Sequence, residues 1–307
     1  MSGWGSIYTN TVYALQTQSA ALARLQEQIS TGMRVVRASD DTGSAVKIMD
    51  LRRKSASLDT YLTNIGQTSR TLENSLNAMQ QTATSLTRVR VLLTQASSGT
   101  YSDANRASMA EEVDTLLEQA LSLANTSHLG QYSFSGQNVS TAPYVAQRVD
   151  GRIADVQYAG SIEQMRVPVG PGTTITSQLV GDDIFQVPGS GDLFGTLINI
   201  RDLLSNTQDL ESNRQQELLR QAGTDLTTVT DNLTQKLAAV GSRIQALDSM
   251  TQTLETNRNL AGDQADTLQN ADVVNVATQL ARSQNLYEMT LASAAKLLSL
   301  SLLDFIR

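Results

Sequence analysis

Cysteine is absent from the 307 residues and histidine occurs once, at His128. Without cysteine there is no disulfide and no thiolate metal site, although that absence by itself fixes no compartment. A single histidine excludes an HExxH zinc site and any multi-histidine metal centre. A Ser-His-Asp triad would have to use this one loop histidine, and the chain has no G-x-S-x-G elbow to present the serine. The glycines of VGPGTT and PGSGDLFG lack the G-K-[ST] ending of a phosphate loop. Asp40-Asp41 is too short and too poorly spaced for an EF-hand, which needs oxygens at alternate positions and a distal Glu. No catalytic residue, cofactor site or metal site is therefore read, and the chain is expected not to be an enzyme.

Aromatic residues make up only 4% of the chain, with one Trp and four Phe, and there are only four Pro. Leu, Ala, Ser, Thr and Gln dominate instead, which is the composition of long helices that seal their interfaces with small and aliphatic side chains. No apolar run approaches the ~20 residues of a membrane span, so no membrane insertion is expected. The formal charge is −7, and the longest basic cluster, Arg52-Arg53-Lys54, reads as a solvated helix face. A nucleic-acid partner is not expected. The opening stretch MSGWGSIYTNTVYAL has neither a basic start nor an apolar core, so it does not read as a Sec-type signal peptide. The expectation is a protein that stays inside the cell or leaves by another route. Asn125-Thr-Ser and Asn232-Leu-Thr fit the glycosylation pattern, but so short a pattern recurs by chance.

What the chain does have is periodicity, most clearly in Ala271 to Arg307. Steps of four and three from Val273 select Ala277, Leu280, Gln284, Tyr287, Leu291, Ala294, Leu298, Ser301 and Phe305, a heptad seam uninterrupted by Pro or Gly. A lone amphipathic helix is marginal in water, because its hydrogen bonds do not offset roughly 1–2 kcal/mol per residue of lost backbone entropy. It needs a partner, and the opposite end of the chain offers one. Tyr8, Val12, Leu15, Ser19, Leu22, Gln26 and Ile29 keep the same spacing, with Leu25 widening the stripe, up to a helix stop at Gly32. The candidate assembly interface is thus Val12, Leu15, Leu22, Leu25 and Ile29 together with Val273, Leu280, Tyr287, Leu291, Leu298, Leu302 and Phe305.

Between these ends lie two rods. Ser39, Asp40 and Asp41 read as cap and first turn of a helix whose stripe runs Ile48, Leu51, Ser55, Leu58, Leu62, Ile65, Ser69, Leu72, Leu76, Met79, Ala83, Leu86, Arg90 and Leu93, about 70 Å of rod. Gly66 weakens it by about 1 kcal/mol relative to Ala. Arg90, on that stripe, reads as a snorkelling, solvated side chain, with pairing to a carboxylate on a neighbouring helix as the alternative. SSGTYSD then makes a turn, with Ser102 or Asp103 as N-cap, and a third helix runs to about Asn125. From Gln131 to about Gly191 all four prolines cluster, and the apolar runs become short and strand-like. Asp150-Gly151, between Tyr144–Val149 and Arg152–Tyr158, is a two-residue hairpin signal. Helical signals return at Asp192 with DLFGTLINIRDLL and then from about Arg214 to Gly262, where Leu219, Ala222, Leu226, Val229 and Leu233 keep the heptad, the step through Leu237, Val240 and Ile244 shifts it, and Leu247, Thr251 and Leu254 continue. DQADTLQNAD reads as the link to the last helix.

The expected fold is mainly α, with long antiparallel coiled-coil-like rods formed by the N- and C-terminal arms and a small β-rich insertion in the middle. The expected divisions are an N-terminal helix region 1–40, rod segments 41–130 and 192–262, a β-rich domain 131–191 and a C-terminal helix region 263–307. Folding back at the β insertion would set residues 8–30 beside 272–305.

The stretches LQEQISTGMRVVRASDD, DLRRKSASLDTYLTNI, SSGTYSDANRASMAEEVDTLLEQALSLANTS and GQYSFSGQ resemble the flagellin superfamily. GDLFGTLINIRDLL and the ending AAKLLSLSLLDFIR are more similar to its hook–filament junction members than to filament flagellins, the alternative within the superfamily. The resemblance covers about Thr11 to Tyr144 and Asp192 to Arg307. Two departures stand out. Thr42-Gly43 replaces the usual Pro after the two aspartates, which removes a preorganised first helical turn, and MSGWGSIY differs from the family's usual start. The resemblance implies a structural component of the bacterial flagellum whose terminal helices stay disordered in the free monomer and form an inner tube on assembly. The rods would surround that tube and the β module would project outward. It further implies export by the flagellar type III apparatus to an extracellular position. The implied partners are further copies of the chain, a neighbouring hook-associated junction protein, flagellin, and a chaperone on the C-terminal region. A secreted enzyme carried by the β module is the rival of a different class, and the missing catalytic constellation speaks against it.

Overall fold

The structure is a computed structural model that describes the backbone of residues 3–98, 101–187 and 191–305, and side chains over 9–98, 101–187 and 191–296. In chain order the elements are α1 (Gly3–Thr31), α2 (Thr42–Ala96), α3 (Asp103–Ala124), β1 (Ser127–His128), β2 (Gln131–Tyr132), β3 (Tyr144–Val149), β4 (Arg152–Tyr158), β5 (Arg166–Gly170), β6 (Thr173–Thr176), α4 (Gly181–Phe185), β7 (Gln186–Val187), β8 (Gly191–Asp192), α5 (Leu193–Ser205), α6 (Ser212–Gln269) and α7 (Val273–Phe305). The chain is mainly helical with a small β-rich middle, as the sequence leads one to expect. It divides into two compact units, Met1–Leu58 with Thr256–Arg307, and Asp59–Glu255.

In the larger unit, α2 buries Ile65, Thr68, Leu72, Ser75, Met79, Thr82, Leu86, Val89, Leu93 and Ala96, an unbroken alternation of three and four. Half of these match the apolar stripe read from sequence. The other half includes hydroxyl residues, and they can be buried because each satisfies itself. The hydroxyls of Thr68, Ser75 and Thr82 donate to the carbonyls of Asn64, Thr71 and Ala78, each at 2.9 Å. On α6, Leu219, Ala222, Leu226, Val229, Leu233, Val240, Leu247 and Leu254 are buried where the spacing predicts, while Leu237, Ile244 and Thr251 are half-buried. Arg90 is exposed.

The β-rich region forms four separate two-stranded antiparallel sheets among the described residues. Asp150 and Gly151 both adopt positive φ, 51° and 84°, in the turn that joins β3 to β4, as a tight two-residue hairpin requires. The region is anchored to helices by specific ties. Asn125, just past α3, clamps Tyr144: its amide donates to the Tyr144 carbonyl at 2.9 Å, and its side-chain oxygen accepts the Tyr144 N–H at 3.0 Å. Phe134, Tyr144, Tyr158, Phe185 and Phe194 form a ring cluster with centroids 5.0–6.1 Å apart. Gly181 is needed there, since a Cβ would stand 2.7 Å from the Tyr144 hydroxyl. Burial pushes that hydroxyl's pKa well above the ordinary tyrosine range, with Tyr158 adding to the rise.

Arg201, only 6% exposed, ties α5 to α3 and β4. Its Nη1 donates to Asp114 at 2.9 Å and to the Ile153 carbonyl at 2.7 Å, and a second ion pair reaches Asp202 at 2.8 Å. Arg88 pairs with Glu112, Arg148 with Glu118 and Arg152 with Glu111 on the more exposed side. As expected, Ser102 caps α3, accepting the Asn105 N–H at 3.3 Å, and Asp192 caps α5 through the Gly195 N–H.

Candidate assembly interface

In the smaller unit, α1 packs along α7. The end of α1 lies beside the start of α7, because Met33 bridges Asn270 and the Ala271 N–H donates to the Gly32 carbonyl at 2.9 Å. The two helices therefore run antiparallel. Gly32 takes φ +68°, the left-handed conformation that ends a helix at glycine without strain.

The segment between α1 and α2 forms a clip onto the end of α6. The Arg34 N–H donates to the Gln269 carbonyl at 2.7 Å. The Arg34 guanidinium reaches the Leu268 carbonyl at 2.8 Å, the Ser44 hydroxyl at 3.0 Å and Asp41 at 2.9 Å. Asp41 caps α2 in turn, accepting the Ser44 N–H at 3.0 Å and its hydroxyl at 2.6 Å. The two Ser44 bonds, with Arg34 next, hold the Asp41 carboxyl well below the usual carboxylate range. With Thr42-Gly43 at the helix start, this carboxylate fixes the entry that a proline would otherwise preorganise. Asp40 faces the other way, accepting the N–H groups of Arg37 at 2.7 Å and Val36 at 3.1 Å, and the Arg37 N–H chiefly lowers its pKa. Val35, Ala45 and Ile48 are buried under this clip with Leu268 packed on them. The stretch DQADTLQNAD is accordingly not a link: α6 continues through it to Gln269 because Ala261, Ala265 and Leu268 prolong the apolar seam. Only residues 270–272 connect the two helices.

Of the residues singled out for assembly, Val12, Leu15, Leu22, Leu25 and Ile29 on α1 are half-buried, as are Leu280 and Tyr287 on α7. Val273 and Leu291 are exposed. Leu298, Leu302 and Phe305, like Tyr8, lie outside the residues whose side chains are described. The covered stripe of α7 is Val276, Leu280, Ser283, Tyr287, Thr290 and Ala294, so every second seam position sits one residue before the one the apolar spacing selects. The same displacement occurs on α1, where Gln18 is covered and Ser19 is exposed.

Two features set this pair apart from the α2 and α6 seams. Among its described side chains only Gln28 and Val276 are fully buried. Its uncovered surface also carries large apolar side chains: Tyr13 is 72% exposed, Val274 79%, Met289 67% and Leu286 56%. Among the described residues no helix is long and apolar enough to cross a membrane, and no group of three or more His, Asp or Glu side chains is placed to hold a metal ion.

Residues 6–139 match the family described as the bacterial flagellin N-terminal helical region. Flagellar hook-associated protein 3 of Escherichia coli strain K12 is 30% identical over 182 residues, 58% of this chain and 55% of that protein. The flagellar filament 30.7 kDa core protein of Treponema maltophilum is 29% identical over 172 residues, 56% of each. The chain thus spans about half the length of these curated relatives. Among solved structures, a putative flagellar hook-associated protein from Vibrio parahaemolyticus superposes with TM-score 0.66 at 21% identity, covering 75% of this chain and all of that one. FlgL of Xanthomonas campestris gives TM-score 0.60 at 18% identity over 70% of this chain and 99% of that one. Residues 6–139 are thus similar to the bacterial flagellin N-terminal helical region, and the fold is like that of the solved flagellar hook-associated proteins.

Proposed function

We propose that the chain is a non-enzymatic structural component of the bacterial flagellum, an adapter at the junction that joins the hook side to the flagellin filament. The observation that carries this reading is the α1–α7 pair, thinly buried on one side and carrying large exposed apolar side chains on the other. Such a pair gains most of its stability only when equivalent helices of neighbouring copies cover it. Assembly would proceed through Val12, Leu15, Leu22, Leu25 and Ile29 on α1 and Val273, Leu280, Tyr287 and Leu291 on α7, with Leu298, Leu302 and Phe305 continuing the stripe. Repeated head-to-side contacts of this kind close into a tube rather than a dimer. The partners would be further copies of the chain, a neighbouring hook-associated junction protein and flagellin. Export would use the flagellar type III apparatus, with a chaperone holding the C-terminal region beforehand, and the site of action would be extracellular.

A second reading, filament flagellin itself, draws support from the Treponema filament core protein. Deleting the gene separates the two. The junction reading expects cells without attached filaments that still make flagellin and shed it into the medium. Loss of the major filament subunit itself would overturn it in favour of flagellin.

A further inference from the structure

Within the Asp59–Glu255 unit, a cavity of about 400 Å³ opens between α2 and the β1–β2 turn, within the size range of small-molecule sites. Its lining brings together features left without a role above: the only histidine of the chain, His128, and Arg70, one turn after Gly66. Arg70 Nη2 lies 3.7 Å from where a Cβ on Gly66 would stand, so the guanidinium folds back along the helix over that glycine. No carboxylate lines the cavity, and the amides of Gln67, Gln131 and Gln178 complete its polar wall.

Two lining residues show that the wall is unfinished. Ser133 is 1% exposed and Gln178 is 4% exposed, yet Ser133 Oγ and Gln178 Oε1 have no hydrogen-bond partner among the described residues. Buried polar atoms are normally satisfied, and those that are not call for an explanation. Gln178 Oε1 can only accept, so its missing partner is a donor, and a hydroxyl serves both it and Ser133. Arg70, in a cavity without acids, calls for an anion, and its planar fork matches a carboxylate. Inorganic phosphate has only one or two P–OH donors, all on the same small group that would meet Arg70, whereas a polyhydroxylated carboxylate offers further hydroxyls along its chain to Gln178 and Ser133.

We infer that this cavity is a binding site for a small polyhydroxylated carboxylate of the sugar-acid class, with Arg70 taking the carboxylate and Ser133 and Gln178 taking hydroxyl groups. The site is independent of the assembly surface, since all its residues lie within the Asp59–Glu255 unit.

Calorimetric titration of the full chain with D-glucuronate tests this, with D-glucose and inorganic phosphate in parallel. Saturable binding of glucuronate is expected, with both controls weaker by about ten-fold or more, because each lacks one of the two recognised features. Arg70→Ala, on an exposed helix face, should weaken glucuronate by a similar factor of about ten with circular dichroism unchanged. If Arg70→Ala does not fold, Gln67→Ala on the same face should show a loss of affinity instead. Ser133→Ala should weaken glucuronate while raising the melting temperature of the ligand-free protein, since it removes an unpartnered buried hydroxyl. Absence of saturable glucuronate binding to the native chain, phosphate binding as tight as glucuronate, or full affinity in a folded Arg70→Ala variant would each overturn the assignment.

Discussion

Arg201 is the side chain on which most of the larger unit converges, since one guanidinium joins α5 to Asp114 on α3 and to the Ile153 carbonyl on β4. Removing one member of a buried pair strands the other charge. Arg201→Ala should therefore lower unfolding free energy by about 3–5 kcal/mol, read by urea denaturation. Tyr144 and Asp41 carry opposite pH signatures. The folded pKa of Tyr144 is raised above its ordinary value of 10.0, so its contribution is complete below that value and is lost as pH climbs beyond it. The melting temperature of the native chain should fall above about pH 10, and Tyr144→Phe should flatten that fall. The folded pKa of Asp41 is depressed below its ordinary value of 3.8, so its contribution is complete above that value and is lost only as pH drops toward the lower folded one. An NMR titration of the Asp41 carboxyl should show it still ionised when exposed carboxylates have protonated. Asp41→Asn should make the start of α2 fray even at neutral pH, seen as faster amide exchange at Ser44.

At the scale of elements, the helices differ in how much of them sequence periodicity could locate. The α6 seam was legible up to about Leu254 because most of its heptad positions there are apolar, whereas its continuation through Ala265 reads as a link in the sequence. In α2 only one of the two heptad positions was legible, since Thr68, Ser75 and Thr82 are polar residues that bury themselves by bonding to their own helix. In α7 the same substitution of Ser283 and Thr290 for apolar residues shifts the covered face by one position from the apolar spacing. The hairpin at Asp150-Gly151 was legible to the residue, because the demand for positive φ at both positions leaves few residue choices. The clip at Arg34 was not, because nothing local marks a side chain that bonds a carbonyl 234 residues away. The thin burial of the α1–α7 pair sets the next prediction. Amide exchange in the free chain should be fast across α1 and α7 and slow across α2 and α6. Strong protection of α7 in the monomer would contradict the proposal that its folding is completed by assembly. Removing residues 272–307 should abolish assembly while the circular dichroism and the urea transition of the Asp59–Glu255 unit persist.

Across the whole molecule, composition and period already determined a great deal. The lack of Cys excluded disulfides and thiolate sites, the single His excluded multi-histidine metal centres, and the scarcity of aromatics pointed to long helices as the architecture. The order of helices around one β-rich middle followed from where Pro and Gly cluster and where the three-four spacing resumes. These are local properties, since backbone freedom and side-chain period depend on a residue and its near neighbours. Tertiary structure alone decided which face of each helix is covered, how Arg201 and Arg34 tie distant segments, and that Ser133 and Gln178 meet Arg70 around one cavity. Those outcomes depend on which surfaces meet across long separations in the chain. A heptad pattern names the faces that can be buried, and only the partner that arrives selects the one that is.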